Sequence, residues 1–203
     1  MKKEKIILVL NGKLPKKSYL INFLKDYTKI ICADGGANKV VKAGIKPDCI
    51  IGDLDSVQKN IALKNKTIQL KNQNYNDLYK ALDWLKNQKI TEIDIIGADG
   101  KRPDHMIANF DIIFKRISHF NIKIFTDYGT FYTVDKEKIF ENCLNKQISI
   151  FSPIQNNRIT SNGLKYELKN KQLTHLYEGS LNQAIKNKFT IKTKYEIFVF
   201  ISK

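Results

Sequence analysis

Up to about residue 125, short apolar runs alternate with segments in which apolar residues recur at helical spacing. The apolar runs predict strands at residues 6–10, 29–33, 49–52, 67–70, 92–96 and 122–125. The amphipathic segments predict helices at residues 20–27, 38–42, 76–87 and 103–117. Short apolar strands separated by helices favour a parallel sheet that is covered by helices on both faces.

The helix that begins at Pro103 carries several large apolar residues. Proline suits a first helical position because its missing N–H group would have no partner there. We expect this helix to bury the side chains of Met106, Ile107, Phe110, Phe114 and Ile117.

After about residue 130, short apolar stretches are separated by turn-forming residues. These stretches predict strands at residues 131–134, 147–151, 158–160, 164–168, 173–177, 189–191 and 195–201. Such spacing is typical of an antiparallel sandwich or barrel. The predicted fold is therefore α/β plus all-β. A three-layer α/β domain with a parallel sheet spans residues 1–128, and a smaller antiparallel β-sandwich domain spans residues 129–203.

The composition is that of a globular protein with an excess of lysine. The net charge is +15, but only three of the 35 basic residues are arginines and the lysines are scattered. Arginine is the usual reader of bases and phosphates, so we expect no nucleic-acid partner. No apolar run is long enough to cross a membrane, and the first ten residues do not resemble a signal peptide. Three cysteines without a CxxC pair indicate reduced core residues and a cytoplasmic location.

Several aspartates follow predicted strands directly. Asp34 ends the strand at 29–33, Asp53 and Asp55 end the strand at 49–52, and Asp77 opens the helix that follows 67–70. Ligands of open parallel sheets bind at the carboxyl ends of the strands, so these side chains are expected at one edge. Carboxylates one residue apart can share a hard cation, or one of them can take a proton instead. An Asp-x-Asp pair alone also suits a nucleotide-sugar transferase.

Two further segments carry candidate chemistry. Gly35 and Gly36 stand before a predicted helix, where main-chain N–H groups can bind phosphate. The loop at 97–105 contains Arg102, which can hold a phosphate through two hydrogen bonds, and Asp104 and His105. Each of these motifs alone has a structural reading as a turn or a helix cap.

Four motifs in this order resemble the thiamine pyrophosphokinase family. The chain reads Asp-Gly-Gly-Ala-Asn at 34–38, Pro-Asp-Cys-Ile-Ile-Gly-Asp-Leu-Asp-Ser at 47–56, Asp-Leu-Tyr-Lys-Ala-Leu at 77–82 and Gly-Ala-Asp-Gly-Lys-Arg-Pro-Asp-His at 97–105. The resemblance implies an α/β domain followed by a β-sandwich, a homodimer, and Mg²⁺-dependent transfer of the pyrophosphoryl group of ATP to thiamine. The products implied are thiamine diphosphate and AMP.

The resemblance also implies roles for individual residues. The implied catalytic carboxylates are those of Asp53, Asp55, Asp77 and Asp104, and the first three of these would bind Mg²⁺. The residues implied on the nucleotide side are Asp34, Gly35, Gly36, Asn38, Arg102, His105 and Asn109. The residues implied for thiamine are Tyr166, Ser180 and Asn182. The proton acceptor for the thiamine hydroxyl is left open between Asp77, Asp55 and Asp104.

The chain departs from the family pattern at four positions. Asn74 stands where the family has a carboxylate, Lys101 replaces a glycine, Tyr166 replaces a tryptophan, and Leu181 replaces a serine. Three alternatives therefore stay open: a pyrophosphokinase for another alcohol such as a hydroxymethylpterin, a basic nucleic-acid-binding module, and a nucleotide sensor without turnover.

Overall fold

The computed structural model describes residues 4–203, and the chain folds into two compact units. The first unit runs to Phe120 and includes Ile124–Asp127, and the second comprises Asn121–Lys123 and Tyr128–Lys203. Residues 1–3, with which the predicted N-terminal domain begins, lie outside the described part of the chain. Within residues 4–203, no helix has both the length and the apolar character needed to cross a membrane.

The first unit is built on a parallel sheet. Its strands are β1 Ile6–Val9, β2 Lys29–Ala33, β3 Cys49–Gly52, β4 Thr67–Gln69 and β5 Glu92–Ile96. Its helices are α1 Lys17–Leu24, α2 Gly36–Lys42, α3 Lys59–Lys64, α4 Asp77–Asn87 and α5 Pro103–Arg116. The strand order is β5-β1-β2-β3-β4, and each neighbouring pair is parallel. Strand β6, Asn121–Phe125, is divided between the two units.

The predicted α/β architecture is confirmed by this sheet and its helices. Every residue of β1 and of β3 is buried, as expected for strands covered on both faces. Helix α4 buries Leu78, Ala81, Leu82 and Leu85 along one face. It begins after Asn76, whose side chain accepts a hydrogen bond from the Tyr79 N–H group at 2.9 Å. The cap therefore fixes Asp77 as the first helical residue.

The expected burial of the first turns of α5 is wrong. Met106 is 37% exposed and Ile107 is 67% exposed, whereas Ile113 and Ile117 are fully or almost fully buried. The reason is position, because Met106 lies beside an open cleft near the ends of the strands. Only the C-terminal half of α5 packs onto the sheet closely enough to bury its apolar side chains.

The second unit is an antiparallel sandwich, as predicted. One sheet has the order β12-β9-β14-β7 and the other has the order β11-β10-β13-β8. The strands are β7 Gly129–Val134, β8 Glu137–Phe140, β9 Gln147–Phe151, β10 Arg158–Asn162, β11 Lys171–Gln172, β12 Asn182–Gln183, β13 Phe189–Thr193 and β14 Ile197–Ser202. A shared apolar cluster contains Ile150 and Val199 from the first sheet and Phe140 and Phe189 from the second.

Two predicted strands of this unit are wrong. In 164–168, only Leu164 forms an isolated bridge, to Ala184. The Glu167 carboxylate accepts hydrogen bonds from the N–H groups of Gly163 and Leu164, which closes a local turn. In 173–177, the chain instead enters a 3₁₀ turn at Leu176–Gly179. A carboxylate that accepts neighbouring N–H groups competes with strand pairing, and this competition explains the difference.

Candidate active site

Three carboxylates meet at the carboxyl ends of β2 and β3. Asp34 follows β2, Asp53 follows β3, and Asp77 is the first residue of α4. One oxygen from each carboxylate lies within 4.8 Å of the others. Because β2 and β3 are parallel neighbours, their last residues end at the same edge of the sheet. We call Asp34, Asp53 and Asp77 the acidic cluster.

The backbone around the acidic cluster has little room for larger residues. Asp34 has a φ of +42°, and its N–H group donates to the Ile51 carbonyl at 2.9 Å. Gly52 has a φ of +151°, and a Cβ atom there would lie 3.1 Å from both the Asp34 Cβ and the Asp77 Oδ1. Glycine at position 52 therefore lets the carboxylates approach one another.

A buried lysine, which the sequence reasoning missed, joins two members of the acidic cluster. The Lys80 Nζ lies 2.8 Å from Asp53 Oδ2 and 3.1 Å from Asp77 Oδ1, and its side chain is only 4% exposed. The hydrogen bond from Lys80 holds the pKa of the Asp53 carboxyl below its usual value. Burial, together with the charges of Asp34 and Asp53, raises the pKa of Asp77 despite its own bond from Lys80. Asp53 is therefore the better ionised ligand at neutral pH.

The loop after β3 separates Asp55 from Asp53. Asp55 is exposed and lies outside the acidic cluster, although its N–H group donates to Asp53 Oδ1 at 3.3 Å. The Asn38 side chain donates to the Ser56 carbonyl at 2.7 Å and accepts from the Gln58 N–H group at 3.0 Å. The role that the structure gives to Asn38 is thus to tie α2 to this loop.

A cleft of about 240 Å³ opens beside Asp77. Residues from the ends of β1, β2 and β5 and the starts of α4 and α5 line it. The polar and charged residues among them are Asn11, Asn76, Asp77, Asp99, Lys101, Arg102, His105 and Asn109. The structure therefore brings the predicted residues Asp77, Arg102, His105 and Asn109 to one cleft.

Basic side chains border this cleft. The Lys101 Nζ donates to Asn11 Oδ1 at 3.0 Å, and the Lys39 Nζ donates to the main-chain oxygens of Asn11 and Gly12. Burial, with the nearby charge of Lys101, lowers the pKa of Lys39 to about 8. Two cations thus stand near the turn that follows β1, which favours an anionic ligand in the cleft.

Arg102 and Asp104 bind each other at the surface. The Arg102 Nε and a terminal nitrogen donate to the two Asp104 oxygens at 3.1 and 2.6 Å. The guanidinium lowers the pKa of Asp104 to about 2. Asn109 has a positioning role in addition, because its Nδ2 donates to the Ala98 carbonyl at 3.0 Å. This bond connects α5 to the loop after β5.

The two predicted glycines serve packing at the start of α2. A Cβ atom at Gly36 would lie 2.4 Å from the Val9 carbonyl oxygen, and one at Gly35 would lie 2.3 Å from the Asn11 amide. Both positions therefore exclude any side chain. The signal in the sequence was correct for close approach, but the structure shows that the backbone approaches β1.

The predicted thiamine-side residues lie in the second unit. Asn182 is buried, accepts from the Tyr166 N–H group at 3.1 Å and donates to the Tyr166 carbonyl at 2.7 Å. The Tyr166 ring is left 63% exposed. The Ser180 hydroxyl donates to the Tyr177 carbonyl at 2.7 Å. Asn182 therefore fixes the main chain that presents the Tyr166 ring.

An α/β unit with carboxylates grouped at its strand ends beside a basic cleft defines an enzyme of the phosphotransferase class. Residues 20–126 match the family described as "Thiamin pyrophosphokinase, catalytic domain". Residues 129–200 match the family described as "Thiamin pyrophosphokinase, substrate-binding domain". The chain belongs to the thiamin pyrophosphokinase family.

Individual relatives agree with this assignment. The chain is 26% identical over 205 residues to thiamine pyrophosphokinase 1 of Oryza sativa subsp. japonica, covering 83% of this chain and 75% of the relative. It is 28% identical over 173 residues to the thiamine pyrophosphokinase of Bacillus subtilis, covering 76% and 77%.

Solved structures share the fold. The crystal structure of thiamine pyrophosphokinase from Bacillus subtilis has a TM-score of 0.81 at 24% identity and covers 98% of this chain and 99% of its own. Thiamin pyrophosphokinase from Candida albicans has a TM-score of 0.82 at 19% identity and covers 99% and 89%.

Proposed function

We propose that this chain transfers the pyrophosphoryl group of ATP to the hydroxyethyl oxygen of thiamine, giving thiamine diphosphate and AMP. The observation that carries the proposal is the acidic cluster at the ends of β2 and β3. It lies within the part of the chain that matches the catalytic domain of the family. The comparisons do not favour a hydroxymethylpterin as the acceptor, since all the relatives described above are thiamine pyrophosphokinases.

The acidic cluster suits Mg²⁺ as the metal of the reaction. Its oxygens are close enough to share one ion, and carboxylate oxygen is the ligand that Mg²⁺ prefers. We propose Asp53 and Asp77 as ligands, with Asp34 beside them and Asp55 supplied by the adjoining loop. When bound, Mg²⁺ would neutralise charge on the phosphate oxygens and on the leaving AMP.

The basic residues of the cleft would hold the polyphosphate of ATP. Arg102 is the best suited, because a guanidinium can donate two parallel hydrogen bonds to a phosphate. It is exposed and paired only at the surface with Asp104, so a phosphate can replace that carboxylate at small cost. His105 and Asn109 would complete this side, and Lys101 would add a cation.

The second unit would bind thiamine. Tyr166 offers an exposed aromatic face to the ring system, and Ser180 offers a hydroxyl nearby in sequence to Asn182. We also propose that the chain works as a homodimer in the cytoplasm and binds no nucleic acid. Light scattering should then give a molar mass of twice 23.5 kDa, and a mass of one chain would contradict the dimer.

The decisive assay is AMP release from ATP and Mg²⁺, with and without thiamine. We expect AMP and thiamine diphosphate in equal amounts and almost no AMP without thiamine. Asp53→Asn and Asp55→Asn should each lose most turnover while keeping the circular dichroism of the parent. AMP formation that is independent of thiamine, or faster with a hydroxymethylpterin, would refute the proposed acceptor. Near-normal turnover in Asp53→Asn would refute the metal site.

A further inference from the structure

Lys80 is a buried cation placed inside a group of carboxylates. It lies one turn after Asp77 in α4, and its ammonium contacts both Asp77 and Asp53. Burial alone lowers the pKa of Lys80, but the two carboxylates more than offset burial and leave that pKa above its usual value. The side chain is therefore a permanent positive charge beneath the proposed metal site.

The charges of this site balance in a particular way. Three carboxylates and one ammonium leave a net charge of −2, which equals the charge of one divalent cation in magnitude. Across residues 4–203, the ion pairs recorded for the acidic cluster all involve Lys80. Each paired carboxylate also keeps its second oxygen off the lysine, since Lys80 contacts only Asp53 Oδ2 and Asp77 Oδ1.

We propose that Lys80 is the built-in counter-cation of the acidic cluster, which keeps the affinity for a free divalent cation low so that the ion enters with the nucleotide. A like charge that shares the ligands of the ion repels it, and this repulsion weakens binding when no phosphate is present. The negative phosphates of a bound nucleotide then supply the missing attraction. Lys80 is in this sense a positioning residue, because it acts through Asp53 and Asp77.

The test is the binding of Mn²⁺ alone, measured by electron paramagnetic resonance without nucleotide or thiamine. Lys80→Met should bind Mn²⁺ about tenfold more tightly than wild type, because the cluster loses its internal positive charge. Lys86→Met is the matched control, since Lys86 is exposed on the same helix and its loss should leave Mn²⁺ affinity unchanged. Lys80→Arg keeps the charge and should keep the weak binding of wild type.

Addition of a non-hydrolysable ATP analogue should tighten Mn²⁺ binding more in wild type than in Lys80→Met. Where Lys80→Met does not fold, Lys80→Gln serves in its place, because it keeps a hydrogen-bond donor and removes only the charge. Mn²⁺ binding that is no tighter than wild type in the folded variant overturns the proposal. The inference rests on the proposed function in its choice of ion, but this readout needs no turnover, so a failure with thiamine as acceptor would leave it distinguishable.

Discussion

Asp34→Asn should make the metal-free protein more stable while removing its response to Mg²⁺. Asp34 is only 4% exposed, and the hydrogen bond recorded for its side chain comes from the Ser56 N–H group at 3.3 Å. Lys80 contacts the other two carboxylates of the acidic cluster. Asp34 therefore experiences the repulsion within the cluster without a direct ion pair to relieve it.

The geometry gives the magnitude. Two unit charges 4.8 Å apart repel by about 3.5 kcal/mol at an effective dielectric constant of about 20. The charge of Lys80 and the partial exposure of Asp77 reduce this repulsion, so we expect a gain of about 1 kcal/mol in the free energy of unfolding. Asparagine keeps an oxygen for the Ser56 N–H group and tolerates the φ of +42° at this position.

Urea denaturation in EDTA, repeated with Mg²⁺, measures both effects. Wild type should gain stability with Mg²⁺ through ligand linkage, and Asp34→Asn should not. Asp111→Asn, which removes an exposed carboxylate on α5, is the control and should change stability by less than about 0.5 kcal/mol. A loss of about 1 kcal/mol in Asp34→Asn, or an undiminished Mg²⁺ effect, would refute the reasoning.

Three further predictions concern the first unit. Tyr27→Phe should lose about 1.5 kcal/mol in urea denaturation, because the Tyr27 hydroxyl donates to Asp94 at 2.6 Å, whereas Tyr19→Phe at an exposed ring should change little. Gly36→Ala should lose about 1–3 kcal/mol, since its Cβ would lie 2.4 Å from a main-chain oxygen of β1; unchanged stability would contradict this contact. The pKa of Lys39 is about 8 in the folded chain, against an ordinary lysine value of 10.5, so the unfolded chain binds more protons between these values and stability should rise with pH there. Lys39→Met should flatten that rise, and an equal slope in both proteins would show that another group causes it.

The sequence predicted the acidic cluster because its members follow apolar runs. An apolar run marks a strand, and the residue after it lies at the edge of the sheet, so Asp34 and Asp53 could be placed together without any structure. Strands that pair only through tertiary contacts were harder to find. β8 alternates no apolar residues clearly and exposes Ile139, and α3 buries only Ile61.

Lys80 was missed for a different reason. A lysine in an amphipathic helix is normally solvated, and only its spacing of three residues from Asp77 hinted at an ion pair. Conversely, Asn38 and Asn182 matched a pattern implied for ligands, yet their side chains make hydrogen bonds to the main chain. Side-chain chemistry alone does not distinguish a ligand contact from an internal bond, because the same atoms serve both.

The two hydrogen bonds of Asn38 also constrain how this chain can change over evolutionary time. They join α2 to Ser56 and Gln58, so an insertion or deletion in residues 53–58 would break the junction and shift Asp53 away from Asp34. Residues 71–75 are exposed and precede the cap of α4. Among relatives, gaps should therefore accumulate in the second segment and be absent from the first.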